Sequence, residues 1–470
     1  MKNHIGIMDI GSNAVRAVVY EDAKIDAMEI YNSKFQIELP KLLDLEDIDI
    51  DHDIYRILGY FVNIFRLMNV SKVICVGTAA LRKANKAEAF KRIVYKKLNL
   101  EIDIITGEEE AKLTAMGLIY GISEAKGVIA DLGGGSLELA IVEDKLVHNV
   151  ASLSLGLKAG DFYTKPCKEE EAIETIKKSN FPEAHNLYLL GGAFRILARQ
   201  YMYDLKYPLK NLHNFIIDPT LFLNYLASIE ADFYRHSYYN EKINNHAVVI
   251  IKSLLKYFQP QQIIISNYGL KEGIFFSNLT TTEQSFNTTY NQIQRLTNFA
   301  QSSTDLIAYH KLFKSILIEY SEDLEHIIDI SIMLLHYCKY IDNTMQDSYL
   351  MTLISTTSIP FHHKQRIMLM NIACGIFDAP INRNILVLSC KLISKKEYNT
   401  LCIIIAVLKI ALLVDGPEMK QPNFHFDIDK EDYVKYVSDI MLPRSIAIKI
   451  MKLVQEIGKM RKKVKYFKLA

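Results

Sequence analysis

The chain has 470 residues, half of them hydrophobic and 23% charged, with 55 Lys and Arg against 54 Asp and Glu for a formal net charge of +1. That composition excludes a disordered chain and any general pull toward nucleic acid or an anionic membrane, so a polyanionic partner has to be held by a local cationic site. Six scattered cysteines (Cys75, Cys167, Cys338, Cys374, Cys390, Cys402) with no C-x-x-C pair argue against disulfide or zinc frameworks and fit a reducing cytoplasm.

The first strand signal is the apolar run Ile5 to Val19, bent at Asp9-Ile10-Gly11-Ser12-Asn13. Helical periodicity follows over Tyr55–Leu67, then an apolar strand over Val73–Val76 and a second helix over Ala87–Leu98. A second unit starts at Gly127 with another hairpin and continues through the strand Leu187–Leu190 and the helix after Gly192. The strand Ile263–Ser266 and the turn Asn267-Tyr268-Gly269 close it. Strands alternating with helices imply mixed sheets covered by helices. Residues 280–293 are polar and read as a linker. From about Gln294 apolar stripes recur at helical spacing, which predicts an all-helical C-terminal domain. Its longest apolar stretch, Leu401 to Val414, is broken by Lys409 and falls short of the roughly 18 residues of a membrane span, so it reads as a buried helix. No signal peptide is expected.

The N-terminal third states one pattern twice. Ile7 to Asp22 reads IMDIGSNAVRAVVYED, and Ile129 to Asp144 reads IADLGGGSLELAIVED. Each is a strand that halts at Asp-x-Gly and returns as a second strand. Small residues at such a bend let an anion approach converging backbone N–H groups, and an Asp beside each is free to organise a metal. Two facing bends would clamp one phosphate chain; taken singly, each is a tight hairpin with an acidic flank. Thr78 to Asn85 follows a strand and opens a helix, which places Arg82 near the sheet's end, where guanidinium suits a phosphate or simply a solvated helix start. Thr106-Gly107-Glu108-Glu109-Glu110-Ala111 opens another helix; its carboxylates either favour the helix N-terminus or activate water.

The segments DIGSNAVR, GTAALRKANKAEAF, ITGEEEAKL, DLGGGSLEL and SNYGLKEG, in this order between Ile5 and Gly273, resemble the Ppx/GppA family of exopolyphosphatases and guanosine pentaphosphate phosphohydrolases. The resemblance implies an α/β fold of two actin-like, ribonuclease-H-like lobes with a cleft between them (1–122 and 123–279), then the linker 280–293 and a helical HD-like domain over 294–470. It also implies a set of roles. Glu109 is the general base, and Arg82 neutralises charge on the transferred group. Gly11, Ser12 and Asn13 on one lobe, and Gly133, Gly134, Gly135 and Ser136 on the other, cradle the phosphates. Asp131 and Glu138 hold Mg2+, with Asp9 behind them.

The implied reaction is magnesium-dependent release of orthophosphate from the end of inorganic polyphosphate. The alternative is hydrolysis of guanosine pentaphosphate at its 5′ end. An actin-like ATP-binding kinase or ATPase, kept alive by Gly191-Gly192, and a non-catalytic sensor are further alternatives. Departures from the family pattern are Ala14 in place of Ser, Lys158 within Gly156 to Gly160 where Arg is frequent, and Lys271 in place of Arg. The only His-Asp pair is His52-Asp53, and His336, Asp342, His362 and His363 are too irregular for an HD metal site. The helical domain is therefore expected to be non-catalytic, serving as a polyphosphate track or dimer surface. The basic tail Lys459 to Lys465 is expected to be a solvated helix end, the rival reading being a guide for a polyanion.

Overall fold

The computed structural model describes residues 3–37, 39, 53–157, 167–230, 245–297, 304–416 and 419–469. They divide into two compact units: residues 1–206 with 212–288, and residues 207–211 with 289–470.

The first unit holds two sheets built to one plan. Strands β1 (His4–Ile10), β2 (Ala14–Tyr20), β3 (Glu29–Gln36), β4 (Val70–Gly77) and β5 (Asp103–Ile104) lie in the order β3-β2-β1-β4-β5. Strands β6 (Gly127–Leu132), β7 (Leu137–Glu143), β8 (Leu146–Leu153), β9 (Asn186–Leu190), β10 (Phe215–Ile217) and β11 (Gln262–Ile265) lie in the order β10-β11-β9-β6-β7-β8. In each sheet the first strand makes an antiparallel hairpin with the second and runs parallel to a strand that arrives after a helix. The sequence repeat is thus a repeat of topology.

Alternation along β1 explains its two cores. Met8 and Ile10 face the helices Asp53–Leu67 and Ala87–Leu98, packing with Leu58, Phe61 and Phe90. Ile5 and Ile7 face the opposite way, into a core shared with Ile129 and Leu190 of the second sheet. Two helices thread that shared core, Gly107–Gly121 and Leu270–Ser277. They cross at bare backbone: a Cβ on Gly273 would stand 1.6 Å from the Leu113 carbonyl oxygen, and one on Gly117 would stand 2.0 Å from that of Gly269. The closing segment SNYGLKEG therefore packs directly on the helix opened by ITGEEEAKL.

The second unit is mainly helical, but not entirely so. The helices Leu306–Ile316, Glu322–Cys338, His363–Ile376 and Lys395–Val414 surround its core. A two-stranded hairpin, β12 (His425–Ile428) and β13 (Val434–Val437), corrects the all-helical expectation. Phe426 and Val434 supply its buried positions, and Asp432 adopts the left-handed conformation its turn needs. Lys395–Val414 is long and apolar enough to span a membrane by length and composition, yet Leu401, Ile404, Val407 and Leu408 are buried in this unit's core. The predicted linker is also structured. Thr281–Ser285 and Thr288–Leu296 are helical, the first capped by the Thr280 hydroxyl, because a polar segment with good caps folds as readily as it loops.

Candidate active site

Both bends close with the same hydrogen bond: Gly11 N–H donates to the Ala14 carbonyl, and Gly133 N–H donates to that of Ser136, each at 3.0 Å. In the first hairpin Asp9 pairs across the strands with Arg16; in the second, Asp131 pairs with Glu138. The duplication therefore carries one chemical asymmetry, an acid–base pair in one lobe and an acid–acid pair in the other.

The two bends meet. A Cβ on Gly134 would stand 2.9 Å from both Ser12 Cβ and Asn13 Nδ2, and one on Gly135 would stand 2.6 Å from Ala79 Cβ. Gly11, Ser12, Asn13, Gly133, Gly134, Gly135 and Ser136 are thus brought together. Lys83 Nζ adds a bond to the Gly135 carbonyl at 3.1 Å. The bare backbone at 134–135 has a reason that sequence reasoning did not supply, since it receives the opposite lobe's bend.

The helix Gly107–Gly121 turns inward a carboxylate other than the Glu109 expected from the resemblance. Glu109 is exposed and spent on a capping box: its carboxylate accepts from Thr106 N–H at 2.7 Å, and its own N–H donates to Thr106 Oγ1 at 3.1 Å. Glu110 is the carboxylate that turns inward. Its side chain is 13% exposed and accepts from Arg82 Nη1 at 2.7 Å, while the same nitrogen donates to the Ile105 carbonyl at 2.9 Å. Two signals in the sequence point this way. Thr106-x-x-Glu109 is a capping signature, and Glu110 shares a helix face with Thr114, Gly117 and Gly121, all buried. Arg82 reaches the site, but its guanidinium is held by Glu110.

Four carboxylates act on one another here. Burial pushes Asp9 up to about 6, with the Arg16 charge opposing and the Asp131 charge adding. Asp131 is raised by burial, against the pull of Arg195. Glu110 is raised by burial, opposed by Arg82, with Asp9 and Asp131 adding. Glu138, fully within the fold, is raised by burial and then by Glu110, although Ser152 Oγ donates to it at 3.0 Å. Asp9 and Asp131 therefore occupy one field, although they come from different lobes. Asp9 Oδ1 is buried without a hydrogen-bond partner. Among the described residues no group of three or more His, Cys, Asp or Glu converges as a ready-made metal cage.

Other sequence expectations fall elsewhere. Lys271 does not face the bends; it is ion-paired with Glu29 and, at 2.7 Å, with Glu272. Lys158 and His52 lie outside the described residues. Gly191 takes a positive φ of 92° at the turn into the helix Gly192–Asp204. That helix carries Arg195, which sequence reading missed; it donates from Nε to the Ser266 carbonyl at 2.9 Å. In the second unit His363 bonds Tyr207 OH and the Asn211 carbonyl, and Asp342 accepts from Thr344. The acid–base cluster of that unit is unanticipated: His310 contacts Asp329 at 2.5 Å and Glu325 at 2.8 Å. Within the basic tail Arg461 is not solvated, donating to the Ile316 carbonyl and pairing with Asp432.

Two lobes built on one strand order, with facing hairpin bends at their junction, define a protein of the actin-like class. The sequence profile of the Ppx/GppA phosphatase family matches residues 32–282. A crystal structure of the Aquifex aeolicus family member superposes with a TM-score of 0.51 at 22% identity, covering 58% of this chain and 96% of that one. An exopolyphosphatase structure from Cytophaga hutchinsonii gives 0.50 at 19% identity, covering 58% and 97%. A guanosine-5'-triphosphate,3'-diphosphate pyrophosphatase of Pseudoalteromonas translucida is 28% identical over 180 residues, covering 36% of this chain. The chain spans 35% of that protein and 46% of a Streptomyces coelicolor relative. The chain belongs to the Ppx/GppA phosphatase family.

Proposed function

We propose that this chain is a phosphohydrolase that removes the terminal phosphate of a phosphoanhydride chain, with inorganic polyphosphate as the preferred substrate. The observation that carries this reading is the placement of Glu110, held by Arg82 beside two facing bends and three further carboxylates. Glu110 takes a proton from water as the water oxygen forms its bond to the terminal phosphorus. The bridging P–O bond breaks, and the shortened chain leaves with that oxygen. Arg82 fixes the carboxylate's orientation, so the reaction draws mainly on positioning. The N–H groups and hydroxyls of the two bends hold the phosphoryl oxygens.

The residues fit a magnesium ion. Asp131 and Glu138 are cross-strand like charges, and the Asp9 Oδ1 lone pairs lack a donor. Asp131 and Glu138 would hold the ion, with Asp9 behind them. Magnesium typically takes only one or two carboxylates and completes its shell with water and phosphate oxygens, so a three-ligand cage is not required. When bound, it supplies positive charge that screens the approach of a nucleophile to an anionic phosphate.

Guanosine pentaphosphate is the second reading, favoured by the name of the Pseudoalteromonas relative. The test is orthophosphate release from long polyphosphate, tripolyphosphate, guanosine pentaphosphate and ATP in the presence of magnesium. Fastest release from long polyphosphate is expected. Turnover of guanosine pentaphosphate alone would replace the preferred substrate, and turnover of none would overturn the reaction.

A further inference from the structure

Asp131, Glu138 and Ser152 stand in one row across three strands: β6 pairs Asp131 with Glu138, and β8 pairs Ser152 with the same Glu138. Glu138 is 3% exposed, and a carboxylate buried that deeply needs partners for its oxygens. Ser152 Oγ donates to Oε1 at 3.0 Å. Oε2 is turned to the second bend, 3.8 Å from the point where a Cβ on Gly133 would sit. One oxygen is therefore held from β8 and the other is offered to the bend. The Ser136 hydroxyl also favours the charged carboxylate, but Ser136 belongs to the bend itself, whereas Ser152 lies outside both bends.

Ser152 is fixed in its turn by the helix Gly107–Gly121. A Cβ on Gly107 would stand 2.4 Å from Ser152 Cβ and 2.6 Å from its Oγ, so bare backbone rests on the serine. Gly107 is the first residue of that helix, and Glu110 follows within the same turn. Ser152 thus touches both the Glu138 carboxylate and the start of the helix that carries Glu110.

We propose that Ser152 is a positioning residue that sets the site's choice of cation: by occupying Glu138 Oε1 it leaves Oε2 as the single oxygen this carboxylate gives to an ion. The inference rests on the phosphohydrolase reading, with Asp131 and Glu138 as the residues that hold the cation. A carboxylate limited to one oxygen suits magnesium, which demands a regular octahedron and keeps much of its water. Calcium takes more oxygens at longer distances and readily accepts both from one carboxylate, so a Glu138 free to turn would favour it. The contact with Gly107 also ties the placement of that oxygen to the helix bearing the base.

The test is direct cation binding to the full chain without substrate, with Mn2+ followed by its spin resonance as the octahedral probe and Ca2+ followed by its displacement of Mn2+. Ser152→Ala, confirmed folded by its melt, is expected to weaken Mn2+ about tenfold while Ca2+ changes less than twofold. Added to Glu138→Ala, the same substitution is expected to change Mn2+ affinity less than twofold, because Ser152 acts through that carboxylate. Ser152→Cys, close in shape with a weaker donor, serves if Ser152→Ala does not fold, and is expected to show the same selective loss to a smaller degree. The comparison of Mn2+ with Ca2+ decides alone if Glu138→Ala does not fold. Equal losses for the two cations, unchanged Mn2+ affinity, or no Mn2+ binding by the parent would overturn the role. Failure of the phosphohydrolase reading would show separately, as no orthophosphate release by a parent chain whose cation selectivity still depends on Ser152.

Discussion

Glu109 and Glu110 are neighbours of one residue type with opposite surroundings. One is bent back onto Thr106 in water, and the other is buried against Arg82 in the field of Asp9 and Asp131. The motif was legible in the sequence, but the member facing inward depended on helical phase and on the cap, both weaker signals than the motif itself. Arg195 was illegible for a different reason, since its partners are carbonyls some 70 residues away.

At this scale the raised carboxylates have a stability consequence. Asp9 goes from an ordinary 3.8 to about 6 in the fold, so its contribution is fully present below pH 3.8 and is lost as pH rises through 6. Asp9→Asn is therefore expected to raise stability at pH 8, without divalent cation, by on the order of 1–3 kcal/mol. The gain should fade toward pH 4. Thermal melts at the two pH values check it, and a gain independent of pH would contradict the assignment. Activity should show the complementary behaviour. A base raised by burial has to be ionised to act, so orthophosphate release is expected to fall off on the acid side above the usual carboxylate range, and chelation is expected to remove it until magnesium is restored.

At the level of elements, hairpins, buried strands and amphipathic helices were legible where one residue pattern dominated. The helix Ala87–Leu98 appears where its periodicity places it, and β9 within a residue of the apolar run. The edge strand β3 was not signalled, because EIYNSKFQ is mostly exposed and its pattern serves pairing with β2 rather than burial. The polar stretch after Thr280 does contain the boundary between the two units, at residues 288 and 289, but low hydrophobicity did not signal that it would be helical.

The crossing of the helices Gly107–Gly121 and Leu270–Ser277 matters most for function, since it sets the helix that carries Glu110. Gly273→Ala would place a methyl against the Leu113 carbonyl and is expected to cost about 3 kcal/mol or more, read as a lowered Tm together with reduced orthophosphate release. A melt within 1 °C of the parent would show that the helices part easily and that this contact does not position the base.

Across the first unit, duplication is the organising fact: two sheets of one order, two bends closed by the same bond, and one pair of positions, Arg16 and Glu138, where the halves differ in charge. Repetition was the most legible property of the whole chain, whereas the direct contact of the two bends was not, because it requires knowing how the lobes face. Bends that touch should respond together. Tripolyphosphate is expected to slow amide exchange at residues 9–14 and 131–136 in parallel, and protection of only one segment would contradict a shared phosphate site.

The proposed reaction depends most on Glu110 acting on water beside both bends. The measurement that tests it directly is the rate of orthophosphate release from long polyphosphate by the parent chain, Glu110→Gln and Glu109→Gln, each confirmed folded by its melt. A loss of about a thousandfold or more in Glu110→Gln, with Glu109→Gln within a few-fold of the parent, is the predicted result. The reverse order, or full activity in both, would contradict it.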